Sequence, residues 1–127
     1  MIVAGIGSRK GVSAAEVVEA VEAALREHGL DRSALEALAT ASLKRDEVGI
    51  VVASGAMNLP LALVDDAALA AMSEFILTRS GASMAAAGTP SVSEAAALAA
   101  AGDGARLAGP RLAVGRVTCA IAYGDGA

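Results

Sequence analysis

Hydrophobic and polar positions alternate along this chain in blocks that predict strands and helices in turn. From 14 to 28, apolar residues recur every three or four positions, which is the period of a helix with one buried face. A second, less regular helix is predicted at 44–56. Short apolar runs with the length of buried strands lie at 1–4, 37–41 and 61–64.

The second half of the chain continues the alternation. A short helical turn is predicted at 65–71, and a longer helix at 90–101 ended by Gly102. Strands are predicted at 106–108 and 117–123. Because no helix lies between them, they could be antiparallel or could lie apart in the sheet. Residues 72–88 mix Ser, Gly, Ala and Met without a clear period, so we expect a partly ordered loop. The pattern favours one three-layer α/β/α domain over residues 1–127, with a largely parallel, mixed sheet of about five strands.

A glycine-rich segment joins the first strand to the first helix. Gly5, Gly7 and Gly11 predict a tight turn out of the strand, because glycine tolerates turn conformations at little steric cost. Ser13 and Glu16 have the spacing of a capping box. The loop is therefore predicted to lie at the carboxyl end of a strand, beside the positive end of a helix.

That position predicts an anion site. Open α/β folds bind anionic groups at strand carboxyl ends and helix N-termini. Gly7, Ser8, Arg9 and Lys10 are the candidate binding residues in this loop. Lys44 follows the second predicted strand, so in a parallel sheet it would lie at the same edge.

Composition narrows the chemistry available. The net charge is -4 and the chain has one Phe, one Tyr and no Trp, which argues against nucleic-acid binding. Cys119 and His28 are single, so we predict no disulfide, metal site or cofactor, and no histidine lies near Ser8 to form a triad. No apolar run is long enough to span a membrane and no signal-peptide pattern is present, so we expect a cytoplasmic protein without a membrane partner.

Four segments in order carry a resemblance to a known family. They are 5–13 (GIGSRKGVS), 38–47 (LATASLKRDE), 88–98 (GTPSVSEAAAL) and 117–122 (VTCAIA). Together they resemble the family of CobE and the C-terminal domain of CbiG, proteins of cobalamin (vitamin B12) biosynthesis. The likeness runs from Ile2 to about Tyr123 and is closest to the stand-alone CobE form. Ser8 stands where many relatives carry Cys.

The resemblance implies a protein that acts on or binds a corrin-ring intermediate around the ring-contraction stage. Two alternatives stay open: hydrolysis of a lactone or acetyl group, as in a cobalt-precorrin-5A hydrolase, and a non-catalytic adaptor for a precorrin methyltransferase. Whether the chain is an enzyme is therefore left open. Corrin precursors carry many carboxylates, which cations, hydroxyls and backbone N–H groups can bind. Further candidate ligand residues are Lys44, Thr89, Ser91 and Arg111, and Arg45 and Arg116 are further cations.

Each candidate also has a structural interpretation. Glu47 is the candidate general base, but with Lys44 and Asp46 it could instead form a charge cluster at a helix start. Ser91 could cap the helix that follows it, with Glu94 as its reciprocal partner. An adaptor would present an exposed apolar patch, and the hydrophobic pattern predicts none.

Overall fold

A mixed sheet forms the centre of the protein in the computed structural model, which describes residues 1–79 and 91–126. Its strands are β1 (Ile2–Ser8), β2 (Ala37–Ala41), β3 (Leu61–Val64), β4 (Arg106–Leu107), β5 (Leu112–Val114) and β6 (Val117–Tyr123). The order across the sheet is β3-β2-β1-β6-β4, and β5 also pairs with β6. Strands β1, β2 and β3 are parallel, whereas β6 is antiparallel to β1, β4 and β5.

Helices cover both faces of this sheet. Within the described residues they are α1 (Ala14–Glu27), α2 (Val48–Ala56), α3 (Asp66–Ala71) and α4 (Val92–Ala101), with short 3-10 turns at Arg32–Ala34, Ser42–Lys44 and Ser73–Phe75. One core cluster packs α1 and α2 against the sheet, and a second, alanine-rich cluster packs α3 and α4 against the opposite face. The predicted three-layer α/β/α arrangement with a mixed sheet is confirmed.

Local caps fix both ends of α1 and the start of α3. The Ser13 hydroxyl accepts a hydrogen bond from the Glu16 N–H at 3.1 Å, and the Glu16 carboxylate accepts from the Ser13 N–H at 3.5 Å. Asp65 caps α3 by accepting from the Ala68 N–H at 2.8 Å. Gly29 follows α1 at φ +65°, the left-handed conformation that glycine favours after a helix.

The first strand is longer than predicted, and this changes the role of its glycines. Gly5 and Gly7 lie inside β1 rather than in a turn. A Cβ on Gly5 would overlap the Ser93 carbonyl oxygen and lie 2.7 Å from the Ala97 nitrogen, so glycine lets α4 pack directly on the strand. Only Gly11, at φ +79°, has the turn role that the pattern predicts.

Three further elements differ from the prediction. The second helix starts at Val48, because residues 42–44 form a separate 3-10 turn. The last helix starts at Val92, and its N-cap Ser91 makes no capping hydrogen bond through its side chain. Strand β5 is too short to stand out in the hydrophobic pattern. Of the expected loop at 72–88, residues 73–75 form a 3-10 turn and residues from 80 onward lie outside the described residues.

Candidate functional site

Three helices begin around the carboxyl ends of β1 and β2. The loop after β1 leads into α1, and the turn after β2 leads into α2. On the other face, the start of α4 lies against Gly7, where a Cβ would be 3.6 Å from the Ser93 nitrogen. Helix N-termini carry partial positive charge and unpaired N–H groups. We call the group formed by Ser8, Arg9, Lys10 and Lys44 at this edge the strand-end site.

Side chains from β2 and the following turn bind the end of β1. The Lys44 ammonium donates a hydrogen bond to the Ser8 carbonyl at 2.7 Å, in a partly buried position. The buried Thr40 hydroxyl donates to the Ile6 carbonyl at 2.7 Å. Among the described residues, no carboxylate lies within 4.0 Å of Lys44. Lys44 therefore presents an uncompensated positive charge and further N–H donors at this edge.

The other members of the site are Ser8, whose carbonyl binds Lys44, and the next two residues of the chain, Arg9 and Lys10. The Ser8 hydroxyl is shielded from solvent and has no hydrogen-bond partner in the part of the chain that the structure describes. Arg9 and Lys10 are exposed at the loop tip. Neither of their side chains has a carboxylate within 4.0 Å among residues 1–79 and 91–126. The edge thus combines three uncompensated cations with one unpaired hydroxyl.

A separate set of contacts holds the loop itself. Arg116 donates two hydrogen bonds to the Glu16 carboxylate, at 2.6 and 3.1 Å, and one to the Gly11 carbonyl at 3.3 Å. The Gly11 N–H in turn donates to Glu47 at 2.6 Å. We call Glu16, Glu47 and Arg116, with Gly11 between them, the loop clamp. The Arg116 guanidinium lowers the pKa of Glu16, and Glu16 raises the pKa of Arg116.

The loop clamp changes the roles available to two candidates. Arg116 is neutralised by Glu16, so it positions the loop and offers little net charge to a ligand. Glu47 is the N-cap residue of α2 but makes no capping hydrogen bond through its side chain. Its carboxylate already binds the Gly11 N–H, and its role as a general base stays a prediction.

Ser91, Arg111 and Thr89 are the remaining sequence candidates. Ser91 is fully buried, with its hydroxyl 3.5 Å from that of Ser93. Arg111 precedes β5, and β6 lies between β5 and β1. Thr89 lies outside the described residues. The structure therefore brings Gly7, Ser8, Arg9, Lys10 and Lys44 together but does not bring Arg111 to them.

The hydrogen bonds of Glu94 were not predicted from the sequence. This residue is fully buried, and its carboxylate accepts from the Leu77 N–H at 3.0 Å and from the Thr78 N–H, the Thr78 hydroxyl and the Arg111 N–H, each at 2.8 Å. It does not reciprocate a cap with Ser91. We call this arrangement the Glu94 junction. The available signal was that Glu94 is the single charged residue in α4, a helix otherwise rich in alanine.

An apolar surface is exposed beside the site, contrary to the expectation from the pattern. Val48, Val51 and Val52 on the outer side of α2 are 69%, 45% and 50% exposed. The hydrophobic pattern did not reveal them, because valine is usually buried. A continuous run of apolar residues does not show which of its members face solvent. The prediction of no exposed apolar patch was therefore wrong.

Other chemistry is limited in the described residues. Burial raises the pKa of the Cys119 thiol to about 12, which keeps it protonated and unreactive at neutral pH. No group of three or more metal-ligating side chains is found among residues 1–79 and 91–126. Of the helices in these ranges, none is long and apolar enough to cross a membrane.

The chain is similar in sequence and in structure to known proteins. Residues 2–122 match the family described as Cobalamin synthesis G C-terminus. The structure is similar to that of CobE, a protein from the cobalamin (vitamin B12) biosynthetic pathway, with 35% identity and a TM-score of 0.92 over 96% of this chain and 89% of that chain. No match was found among curated proteins.

Two further solved structures are similar. The cobalamin biosynthesis protein chiG from Agrobacterium tumefaciens is 49% identical, with a TM-score of 0.79 over 98% of this chain and 99% of that chain. A putative cobalamin biosynthesis protein G homolog from Sulfolobus solfataricus shares the fold, with 24% identity and a TM-score of 0.69 over 95% of this chain and 36% of that chain.

Proposed function

The chain belongs to the family of CobE and the C-terminal domain of CbiG in cobalamin biosynthesis, and from this premise we propose that it binds a corrin-ring intermediate at the strand-end site. The intermediates of this pathway carry acetate and propionate carboxylates around a flat ring. Lys44, Arg9 and Lys10 would bind carboxylates at the rim of such a ring. The Ser8 hydroxyl is shielded from solvent, so it would become a neutral donor only if the ligand displaces the groups that cover it.

The uncompensated charge of Lys44 is the observation that carries this proposal. The protein has a net charge of -4, and Arg116 nearby is paired with Glu16. Lys44 instead donates to a neutral carbonyl, and in the described residues it has no carboxylate within 4.0 Å. A hydrogen bond between charged partners contributes about 1.5–3 kcal/mol. A few such contacts, distributed over one polycarboxylate, are enough for specific binding.

Hydrolysis of a lactone or acetyl group is the alternative chemistry at this edge. Such a reaction needs a base within hydrogen-bond reach of the attacking water. Glu47 is the carboxylate nearest the loop, but it holds the Gly11 N–H at 2.6 Å. Using Glu47 as the base would therefore weaken the contact that fixes the loop, so we propose binding rather than hydrolysis as the primary function.

An adaptor for a pathway methyltransferase is the second candidate function. An adaptor needs an exposed apolar surface for its partner. The three exposed valines of α2 supply a surface of this kind. This candidate does not require the strand-end site, so the two functions can be tested separately.

A titration followed by visible absorbance tests the proposed binding. The purified protein is titrated with hydrogenobyrinic acid and with late precorrins, and the same titration is repeated with Arg9→Ala and Lys44→Ala. We expect saturable binding that weakens about tenfold in each variant, which corresponds to about 1.4 kcal/mol per lost contact. The matched control is Arg26→Ala, which removes an exposed cation in the last turn of α1.

The control decides what a loss of binding means. If Arg26→Ala weakens binding as much as Lys44→Ala, the ligand responds to overall charge and the strand-end site is not its binding place. Wild-type affinity in Lys44→Ala also contradicts the proposal. If no intermediate binds the wild-type protein, corrinoid binding is excluded and the adaptor function is favoured.

A further inference from the structure

Helix α2 is unusual for a helix at a protein surface. Its nine residues, Val48–Ala56, include no charged side chain. Ile50 and Ala53 are fully buried on the inner side, while Val48, Val51 and Val52 face solvent. A helix that is hydrophobic on all sides is normally covered on all sides. Valine also favours helix less than alanine does, so local helix propensity does not explain these outer valines.

A groove runs between the start of α2 and the start of α1. It has a volume of about 420 Å³, and Val12, Val48 and Val52 form much of its apolar lining. The charged residues that line it, Asp46 and Glu47, are both acidic. Among the described residues, no cationic group lies within 4.0 Å of the exposed Asp46 carboxylate. The groove therefore combines an apolar surface with an acidic rim.

This combination does not suit a polycarboxylate. Carboxylates of a ligand in the groove would lie near Asp46 and Glu47. No cation in the lining would offset the repulsion between these like charges. The cations of the strand-end site are not among the residues that line the groove. The apolar face of α2 is thus chemically distinct from the proposed corrinoid site.

We propose that the outer face of α2 and the adjoining groove dock a second protein that presents hydrophobic side chains beside a lysine or arginine. The apolar part of the partner packs on Val48, Val51 and Val52, and its cation lies against Asp46 at the groove rim. Charge complementarity selects this partner over a second copy of the chain. A two-fold dimer pairs the same patch with itself, which would bring two acidic grooves into one interface. This inference deepens the adaptor candidate and is independent of corrinoid binding.

The probe is a pair of synthetic helical peptides that contain no corrinoid and no natural partner sequence. One carries leucines at i, i+3 and i+4 flanked by lysines, and the other has glutamates in place of the lysines. Methyl NMR of the full chain reports binding at each valine. We expect saturable shifts at Val48, Val51 and Val52 with the lysine peptide. Its affinity should be about tenfold or more above that of the glutamate peptide and should fall with added salt.

Three substitutions test where the peptide binds. Val51→Asp should weaken binding of the lysine peptide about tenfold. Circular dichroism shows whether this variant stays folded. Phe75→Asp changes another exposed apolar residue and should have no effect. Asp46→Lys should remove the preference for the lysine peptide while leaving the valines in place.

Each of the following outcomes would overturn the proposal. The two peptides could bind equally, bind without shifts at the α2 valines, or fail to bind at all. Phe75→Asp could weaken binding as much as Val51→Asp. Light scattering could show that the chain alone is a dimer that Val51→Asp dissociates, in which case the occupant is a second copy.

Discussion

The Glu94 junction and the loop clamp both use a carboxylate to hold the backbone of a loop, but their surroundings differ. Glu94 is fully buried and accepts hydrogen bonds from residues 77, 78 and 111, all of them from uncharged donors. In the loop clamp, Glu47 holds the Gly11 N–H and the partly exposed Glu16 binds Arg116. The first arrangement has a fully buried carboxylate and partly buried hydrogen bonds, whereas the hydrogen bonds of the second are exposed.

This difference separates the structural role of Glu94 from the binding role that we propose for the clamped loop. Glu94 is fully buried and accepts four hydrogen bonds, so losing its carboxylate leaves partly buried donors without their acceptor. Water or a ligand can replace the contacts of the loop clamp, so breaking these contacts to release the loop costs little free energy. The cations Arg9 and Lys10 lie on the loop that is held in this second way. A binding loop is expected to belong to the less stable part of a fold.

The largest expected effect is that of removing the Glu94 carboxylate. Glu94→Ala removes the acceptor of four partly buried hydrogen bonds and should lower the free energy of unfolding by about 3 kcal/mol or more. Glu94→Gln keeps one acceptor but places an NH₂ group against donors, so its effect should be smaller and still clear. Urea unfolding measures both. A loss below about 1 kcal/mol for Glu94→Ala would show that the junction does not stabilise the fold.

The next effect concerns the backbone of the clamped loop. Gly11 has φ +79° and open space around its Cα, so Gly11→Ala should cost about 1–2 kcal/mol through backbone strain without a steric clash. Gly55→Ala is the matched control, because Gly55 also faces open space but lies in α2. Alanine there should stabilise the protein by up to about 1 kcal/mol. Equal effects of the two substitutions in urea unfolding would contradict this account of Gly11.

A smaller effect is expected from the exposed ion pair. Arg116→Gln should lower the melting temperature slightly at low salt and less at high salt, since exposed pairs are screened. Binding to Arg116 makes the pKa of Glu16 lower in the folded state than in the unfolded state. The contribution of the pair is therefore present above the ordinary glutamate pKa and is lost as the pH falls through the lowered value.

Thermal unfolding at several pH values measures this contribution. The difference between wild type and Arg116→Gln should be full at pH 7 and should shrink below about pH 4. Arg26→Gln, which changes an arginine of α1 outside the clamp, should show no such dependence. A difference that grows on acidification would mean that Arg116 acts through another group.

The parts of the fold that depend on neighbouring residues in sequence were predictable. Strands β2 and β3 have the predicted bounds, and the Ser13 capping box forms as its spacing indicates. The parts that depend on packing across the sheet were not. Nothing local shows that Gly5 and Gly7 continue β1, because the need for glycine comes from the approach of α4 to the strand.

The candidate site shows the same division. The sequence placed Ser8, Arg9, Lys10 and Lys44 at one edge because they follow parallel strands, and the hydrogen bond from Lys44 to Ser8 links them. It could not separate Arg116 from the ligand candidates, since the partner Glu16 is a hundred residues away. The role of Glu94 was not predicted for a similar reason, because the groups that donate hydrogen bonds to its carboxylate lie in two other loops of the chain.

Lys44→Met should have a small effect on stability, and it tests the comparison most directly. Methionine keeps an unbranched apolar stem and removes the ammonium that donates to the Ser8 carbonyl. Since that carbonyl lies near the surface, the substitution should lower the free energy of unfolding by only about 1 kcal/mol. Corrinoid affinity should fall about tenfold in the same variant, measured by visible-absorbance titration. Loss of binding with nearly unchanged stability would identify Lys44 as a ligand residue. A loss of stability as large as that of Glu94→Ala would make Lys44 part of the structural framework, and the distinction between the two regions would not hold.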